Sequence, residues 1–218
     1  QYEQVDTLPG LPSQVMGTFG TGNQQSSNAD ETPFGIAKRS GRNQILLRKS
    51  ELKQRGFISG FIESLAFEIT DKGGASITNG ITVRMANVKD SNLTQFQQQF
   101  PQAKAVPDKS VIFGNGWNTI SFENPFRWDG KSHILIDICF SGNFTGDNIR
   151  VAMSPTSFPS HAYGDITGFN NISADGCAMP YQTSQNKRPN LRITLTPEAK
   201  PLPSLENPTL FAGSQSAP

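Results

Sequence analysis

The sequence predicts an all-β protein, a jelly-roll-like antiparallel β-sandwich with extended N- and C-terminal arms. Three observations carry that expectation. Apolar residues alternate with polar ones at a period of two, turn residues recur between these runs, and only one short stretch reads as helix. The composition agrees: 218 residues hold 20 Gly and 15 Pro, and within an apolar fraction of 35% the 15 Phe supply large buried areas from few positions. A chain of this length fits one large β domain with tails.

Residues 1–42 carry Pro9, Pro12, Pro33, scattered glycines and the polar run Asn23 to Asn28, with no sustained period, and read as an arm that builds no core of its own. The sandwich is assigned to residues 43–196. Its first strand is Ile45-Leu46-Leu47. Ser50 then caps a single helical turn that Gly56 ends in the left-handed conformation. Leu65, Phe67 and Ile69 form a strand that turns at Asp71-Lys72-Gly73-Gly74, and Ile81, Val83 and Met85 form the next. Val111 to Phe113 ends at Gly114-Asn115-Gly116, and the strand through Asn118, Ile120 and Phe122 stops at Pro125. The strongest strand sets Ile134, Ile136, Ile138 and Phe140 on one face, against His133, Leu135, Asp137 and Cys139 on the other. Ile149, Val151 and Met153 make another strand, and Leu191, Ile193 and Leu195 close the sandwich before Pro197. Residues 154–190 read as a long irregular stretch. The tail, 197–218, holds five prolines and favours extended conformations.

Lys plus Arg at 19 against Asp plus Glu at 18 leaves a net charge of +1 with no run of like charge, which argues against a nucleic-acid footprint or a polybasic membrane patch. No apolar run reaches the length of a membrane span. A first residue of Gln rather than Met fits a chain from which a signal peptide has been removed. Cys139 and Cys177 fit one disulfide in an oxidising compartment or two unrelated thiols.

Catalytic signals are weak. His133 and His161 have no Cys, His or carboxylate neighbour at metal-ligand spacing, no Gly-x-Ser-x-Gly elbow occurs, and no phosphate loop sits between a strand and a helix. A pair of acids distant in the chain is a pattern that sequence neither reveals nor rejects. Asp129-Gly130, Gly146-Asp147-Asn148, Gly164-Asp165 and Asp175-Gly176 offer oxygen ligands for a structural Ca²⁺, although ordinary Asx and Gly turns explain them better, and no cofactor is expected. Trp117, Trp128, Tyr163 and Tyr181 are the candidates for a sugar-stacking platform. The Asn-x-Ser/Thr triplets at Asn92, Asn143 and Asn171 mark polar turns.

The block from Gly116-Trp117-Asn118-Thr119 through Pro125-Phe126-Arg127-Trp128-Asp129-Gly130 to Cys139-Phe140 resembles a module repeated in secreted proteins of Bacteroidota. The Gln44 to Leu47 strand with its Ser50 to Gly56 turn, the Ser64 to Phe67 strand, Asp175-Gly176-Cys177 and Arg188-Pro189-Asn190-Leu191-Arg192 are similar in kind and order, so the likeness spans about residues 33–195. It implies a jelly-roll-like sandwich, export to the cell surface through the type IX system, and adhesion or surface architecture, with no catalytic residues. Asp6-Thr7-Leu8 resembles the O-glycosylation acceptor triplet of that phylum, which makes Thr7 a candidate site. Modules of this kind sit in long proteins with a C-terminal sorting domain. The Pro-rich tail here departs from that pattern and fits either cleavage of such a domain or a small stand-alone subunit.

The expected function is therefore that of a non-catalytic extracellular structural or adhesive surface protein. It would be a homo-oligomer or polymer, a subunit of a filament or layer joined through its terminal arms. The alternative is a carbohydrate-binding module that takes surface glycans.

Overall fold

The computed structural model describes residues 13–26, 31–34, 40–73, 77–78, 81–98, 111–112, 114–141, 148–165 and 175–198. In chain order the elements begin with β1 (Val15–Phe19), β2 (Gln24–Gln25), β3 (Ser40–Leu47) and the helix α1 (Lys49–Gln54). Next come β4 (Gly60–Asp71), β5 (Ile77–Thr78), β6 (Thr82–Val88), β7 (Val111–Ile112), β8 (Gly116–Trp128) and β9 (His133–Ser141). The chain continues through β10 (Arg150–Pro155), β11 (His161–Asp165), a 3₁₀ turn at Gly176–Ala178, β12 (Thr183–Gln185), β13 (Lys187–Pro189) and β14 (Leu191–Pro197).

Twelve of these strands form a β-sandwich of two antiparallel sheets packed on each other, and β5 and β7 pair separately with one another. The seven-stranded sheet runs β1-β14-β4-β10-β13, with β8 on the other side of β4 and β2 on β10; the five-stranded sheet runs β12-β11-β3-β9-β6. Period-two alternation accounts for the interface. Ile134, Ile136, Ile138 and Phe140 of β9 point into the same cluster as Leu65, Phe67 and Ile69 of β4 and Leu191, Ile193 and Leu195 of β14, all at 2% exposure or less. At roughly 25 cal/mol per Å² of apolar surface, each of these side chains contributes on the order of 2 kcal/mol.

The sandwich begins earlier than residue 43. Within the stretch read as an arm, β1 lies antiparallel on β14, pairing Val15 with Leu195 through Phe19 with Leu191, and Phe19 is fully buried in the core. β2 pairs β10, and Phe34 packs edge-to-face on Phe67 with ring centroids 5.3 Å apart. Five residues are too short a run for periodicity to reveal, but Phe19 on a strand beside β14 buries enough area to fix them. Gly17 serves this docking: a Cβ there would meet the Phe57 ring at 2.3 Å.

Three further expectations are corrected. Pro125 does not stop its strand, because β8 pairs only β4 and shifts register there, with Ser121 opposite Ser64 and Phe126 opposite Ile62, so no ladder needs a Pro125 N–H. The helix is capped at Arg48 rather than Ser50, since the Glu51 carboxylate accepts from the Arg48 N–H at 2.9 Å. Gly56 does follow it in the left-handed region, at φ 78°. Residues 154–190 are only partly irregular, carrying β11, β12 and β13.

β3 and β9 are covered on both faces. Leu93 and Phe96, in the connection after β6, pack with Phe158 on Leu46, Leu135 and Ala162, on the face turned away from the other sheet. That cover explains why every residue of β3 is buried.

Candidate functional site

Cys139 and Cys177 form a disulfide with Cα atoms 5.1 Å apart. It ties the 3₁₀ turn to β9, where the Gly176 N–H also donates to Ser141 Oγ at 2.8 Å. The four candidate stacking aromatics do not come together. Trp128 is fully buried and donates its Nε1–H to the Ser132 carbonyl at 3.0 Å, so it is core and not a platform. Tyr163 is 8% exposed beside His161, and Tyr181 meets Phe96 edge-to-face at 5.8 Å. Trp117 is half-buried on β8, with the Arg192 guanidinium 3.8 Å from its ring. Thr7 lies outside the described residues, as do most of the Pro-rich tail, Asn143, Asn171 and the Gly146-Asp147 turn.

The turns that offered oxygen ligands satisfy themselves where they are described. Asp129 accepts from the backbone of Lys131 and Ser132 and from Ser132 Oγ, and Asp175 accepts from the Cys177 N–H. Burial raises the Asp129 carboxyl, and these hydrogen bonds together with Lys131 outweigh it, leaving the group below its ordinary value. Among the described residues no group of three or more His, Cys, Asp or Glu could hold a metal ion.

Two polar clusters unforeseen from the sequence are buried. Asp137, fully buried on β9, meets Arg42 Nε at 2.7 Å, Gln44 Nε2 at 2.9 Å and Arg84 Nε at 2.8 Å, while Arg42 lies 4.7 Å from the Phe96 ring. His161 sits on the core side of β11, its Nδ1 2.9 Å from Gln185 Nε2 and its Nε2 2.7 Å from Asn43 Oδ1. An amide that donates to Nδ1 and a carbonyl that accepts from Nε2 assign the neutral tautomer with the proton on Nε2. Burial holds its pKa at about 3, with Glu31 opposing and Lys187 reinforcing the shift. His133, the first residue of β9, accepts the Lys49 N–H on Nδ1 at 2.9 Å; burial and the charges of Lys49 and Arg48 lower its pKa. Each of these groups is held by internal partners.

A more open arrangement lies beside α1. A cleft of about 320 Å³ runs between the helix, the connection after β10 and β13, and Arg48, Arg55, Arg188 and Glu51 line it together with Ser50 and Ser157. Arg188 donates from Nη1 to the Leu46 carbonyl at 2.8 Å and forks onto Glu51 through Nη1 and Nη2. Arg48 stacks 3.7 Å from the Phe158 ring and donates to Ser91 O and Asn92 Oδ1. Arg55 stacks on Phe19 at 4.4 Å and donates to Glu51 O. Burial raises the Glu51 carboxyl, but Arg188 and the Arg48 amide outweigh it and hold the group below the ordinary carboxylate range. Burial lowers Arg55, Glu51 opposes, and Arg188 adds to the lowering. What the cleft offers is positive charge and hydrogen-bond donors. The signal in the sequence was Arg48 and Arg55 flanking the one helix, and Arg188 in the Arg188-Pro189-Asn190 block, but nothing local joins the two segments.

The chain matches no protein-family model, no curated protein and no solved structure.

Proposed function

We propose that this chain is a non-catalytic extracellular protein of structural or adhesive role that assembles with further copies of itself by strand addition. The observation that supports it most is β1. An N-terminal strand is laid on the edge of the seven-stranded sheet against β14, more than 170 residues away in sequence, and its contribution to the core is the buried Phe19. An edge site filled by a terminal segment can be filled equally by that segment of a second copy, which is the logic of strand exchange. The Cys139–Cys177 disulfide fits an oxidising compartment. The Gly116 to Phe140 block fits the surface modules of Bacteroidota that it resembles, and with them export through the type IX system.

Met16 and Thr194 face each other in the β1–β14 register, and Met16 is 64% exposed. A Met16→Cys/Thr194→Cys variant oxidised during assembly should give a ladder of covalent oligomers, with filaments or layers visible by electron microscopy. Monomers carrying only the internal crosslink would sink the reading. The second reading, a carbohydrate-binding module, draws on Trp117 on β8 with Arg192 against its ring. It predicts a monomer that is retained on polysaccharide and released by Trp117→Ala.

A further inference from the structure

We propose that the cleft beside α1 binds a compact oxyanion, the carboxylate, sulfate or phosphate group of an acidic ligand, through Arg48, Arg55 and Arg188. This goes beyond an assembly role and does not depend on it.

The charge balance is the first ground. Three guanidiniums line the cleft against the single carboxylate of Glu51. Glu51 is already committed, accepting from both terminal nitrogens of Arg188 and from the Arg48 N–H. Like charges gathered in a partly buried site repel one another, and a bound anion relieves that repulsion where solvent screens it least.

The second ground is an unsatisfied donor. Arg188 is 2% exposed, and its Nε is the one buried side-chain nitrogen or oxygen, among the described residues, that lacks a hydrogen-bond partner. A buried donor on a charged group left unpaired is costly, and native structures supply a partner. Both terminal nitrogens of this guanidinium are occupied and Nε is closed to solvent, so an anion in the cleft accepts from Nε when the Arg188 side chain shifts to turn it outward.

The lining decides the class of ligand. Guanidiniums stacked on Phe158 and Phe19 are held in fixed orientations, and Ser50 and Ser157 add hydroxyls at the rim, so the cavity presents donors and little bare apolar surface. A volume of about 320 Å³ has room for one sulfate, one phosphate or a sugar ring bearing a carboxylate.

The test uses the full chain at low ionic strength, titrated with inorganic sulfate, inorganic phosphate and glucuronate, and read by backbone amide NMR shifts and calorimetry. The expected result is saturable binding that shifts the amides of Ser50, Glu51 and Ser157. Preference for the tetrahedral ions points to a sulfated or phosphorylated ligand, and preference for glucuronate to a carboxylated sugar. Ser50→Glu places a carboxylate at the exposed rim without removing a contact and should weaken binding by about tenfold or more. Thr119→Glu, on exposed β8, should leave it unchanged. Absence of saturation with all three probes, indifference to Ser50→Glu, or equal loss in both variants would overturn the assignment.

Discussion

Asp137 on β9 and Arg42 on the neighbouring β3 form an ion pair at 2.7 Å, with the two side chains 0% and 2% exposed, on the face of the five-stranded sheet that points away from the core. Arg84 of β6 closes on the other carboxylate oxygen, so one aspartate joins three adjacent strands. The Arg42 charge that Asp137 balances has no water to turn to, since the Phe96 ring lies over that guanidinium, whereas Arg84 is partly exposed.

Removing one partner of such a group leaves an uncompensated buried charge, which costs about 3–5 kcal/mol. Asp137→Asn should therefore lower stability in urea by that order, and Asp137→Leu combined with Arg42→Met should cost less than Asp137→Asn alone. A double variant worse than the single would show that the pair stabilises on balance.

His161 sets an acid limit. Its folded pKa is about 3 against an ordinary 6.5, so below pH 6.5 the unfolded chain binds a proton that the folded chain refuses. Its contribution is level above pH 6.5 and falls as the pH drops toward 3, by about 1.4 kcal/mol per unit. His161→Gln, which keeps a neutral hydrogen-bonding side chain beside Asn43 and Gln185, should flatten that part of the slope in urea titrations between pH 4 and 7. An unchanged slope would assign the acid sensitivity to carboxylates instead.

The sandwich was legible wherever one face of a strand is continuously apolar in the sequence. β4, β9, β10 and β14 announce themselves by alternation, as Ile134 to Phe140 does. The N-terminal strands were not, since Val15–Phe19 and Gln24–Gln25 are too short for a period, and their place is decided by partners late in the chain. The outer face of β9 carries Leu135, Asp137 and Cys139, a mixture that reads as a polar surface until the connection bearing Leu93 and Phe96 folds over it. The arginine cleft was invisible for the same reason, because Arg188 reaches Glu51 across 137 residues. Trp128 misled in the opposite direction, an aromatic beside a turn that the fold spends on its core.

The Cys139–Cys177 disulfide spans 38 residues, which by chain entropy stabilises the fold by about 4 kcal/mol. Cys139→Ser/Cys177→Ser should lose stability of that order. The wild-type chain should take up alkylating agent, by mass, only after reduction. Labelling without reductant would refute the bridge.

Gly176 and Gly56 should fail as alanines for different reasons, and the contrast tests how the bridged segment is seated. A Cβ on Gly176 would lie 2.0 Å from the Phe140 carbonyl oxygen, so backbone must part from backbone, at a cost of about 1–3 kcal/mol. Nothing lies within 4 Å of a Cβ on Gly56, and its penalty comes from φ 78° alone, about 1 kcal/mol. Because the Gly176 clash acts where the disulfide anchors the turn to β9, Gly176→Ala should accelerate reduction of Cys139–Cys177 at fixed reductant, whereas Gly56→Ala should lower the melting temperature and leave that rate alone. Equal reduction rates in the two variants would mean that the Gly176–Phe140 contact does not hold the turn in place.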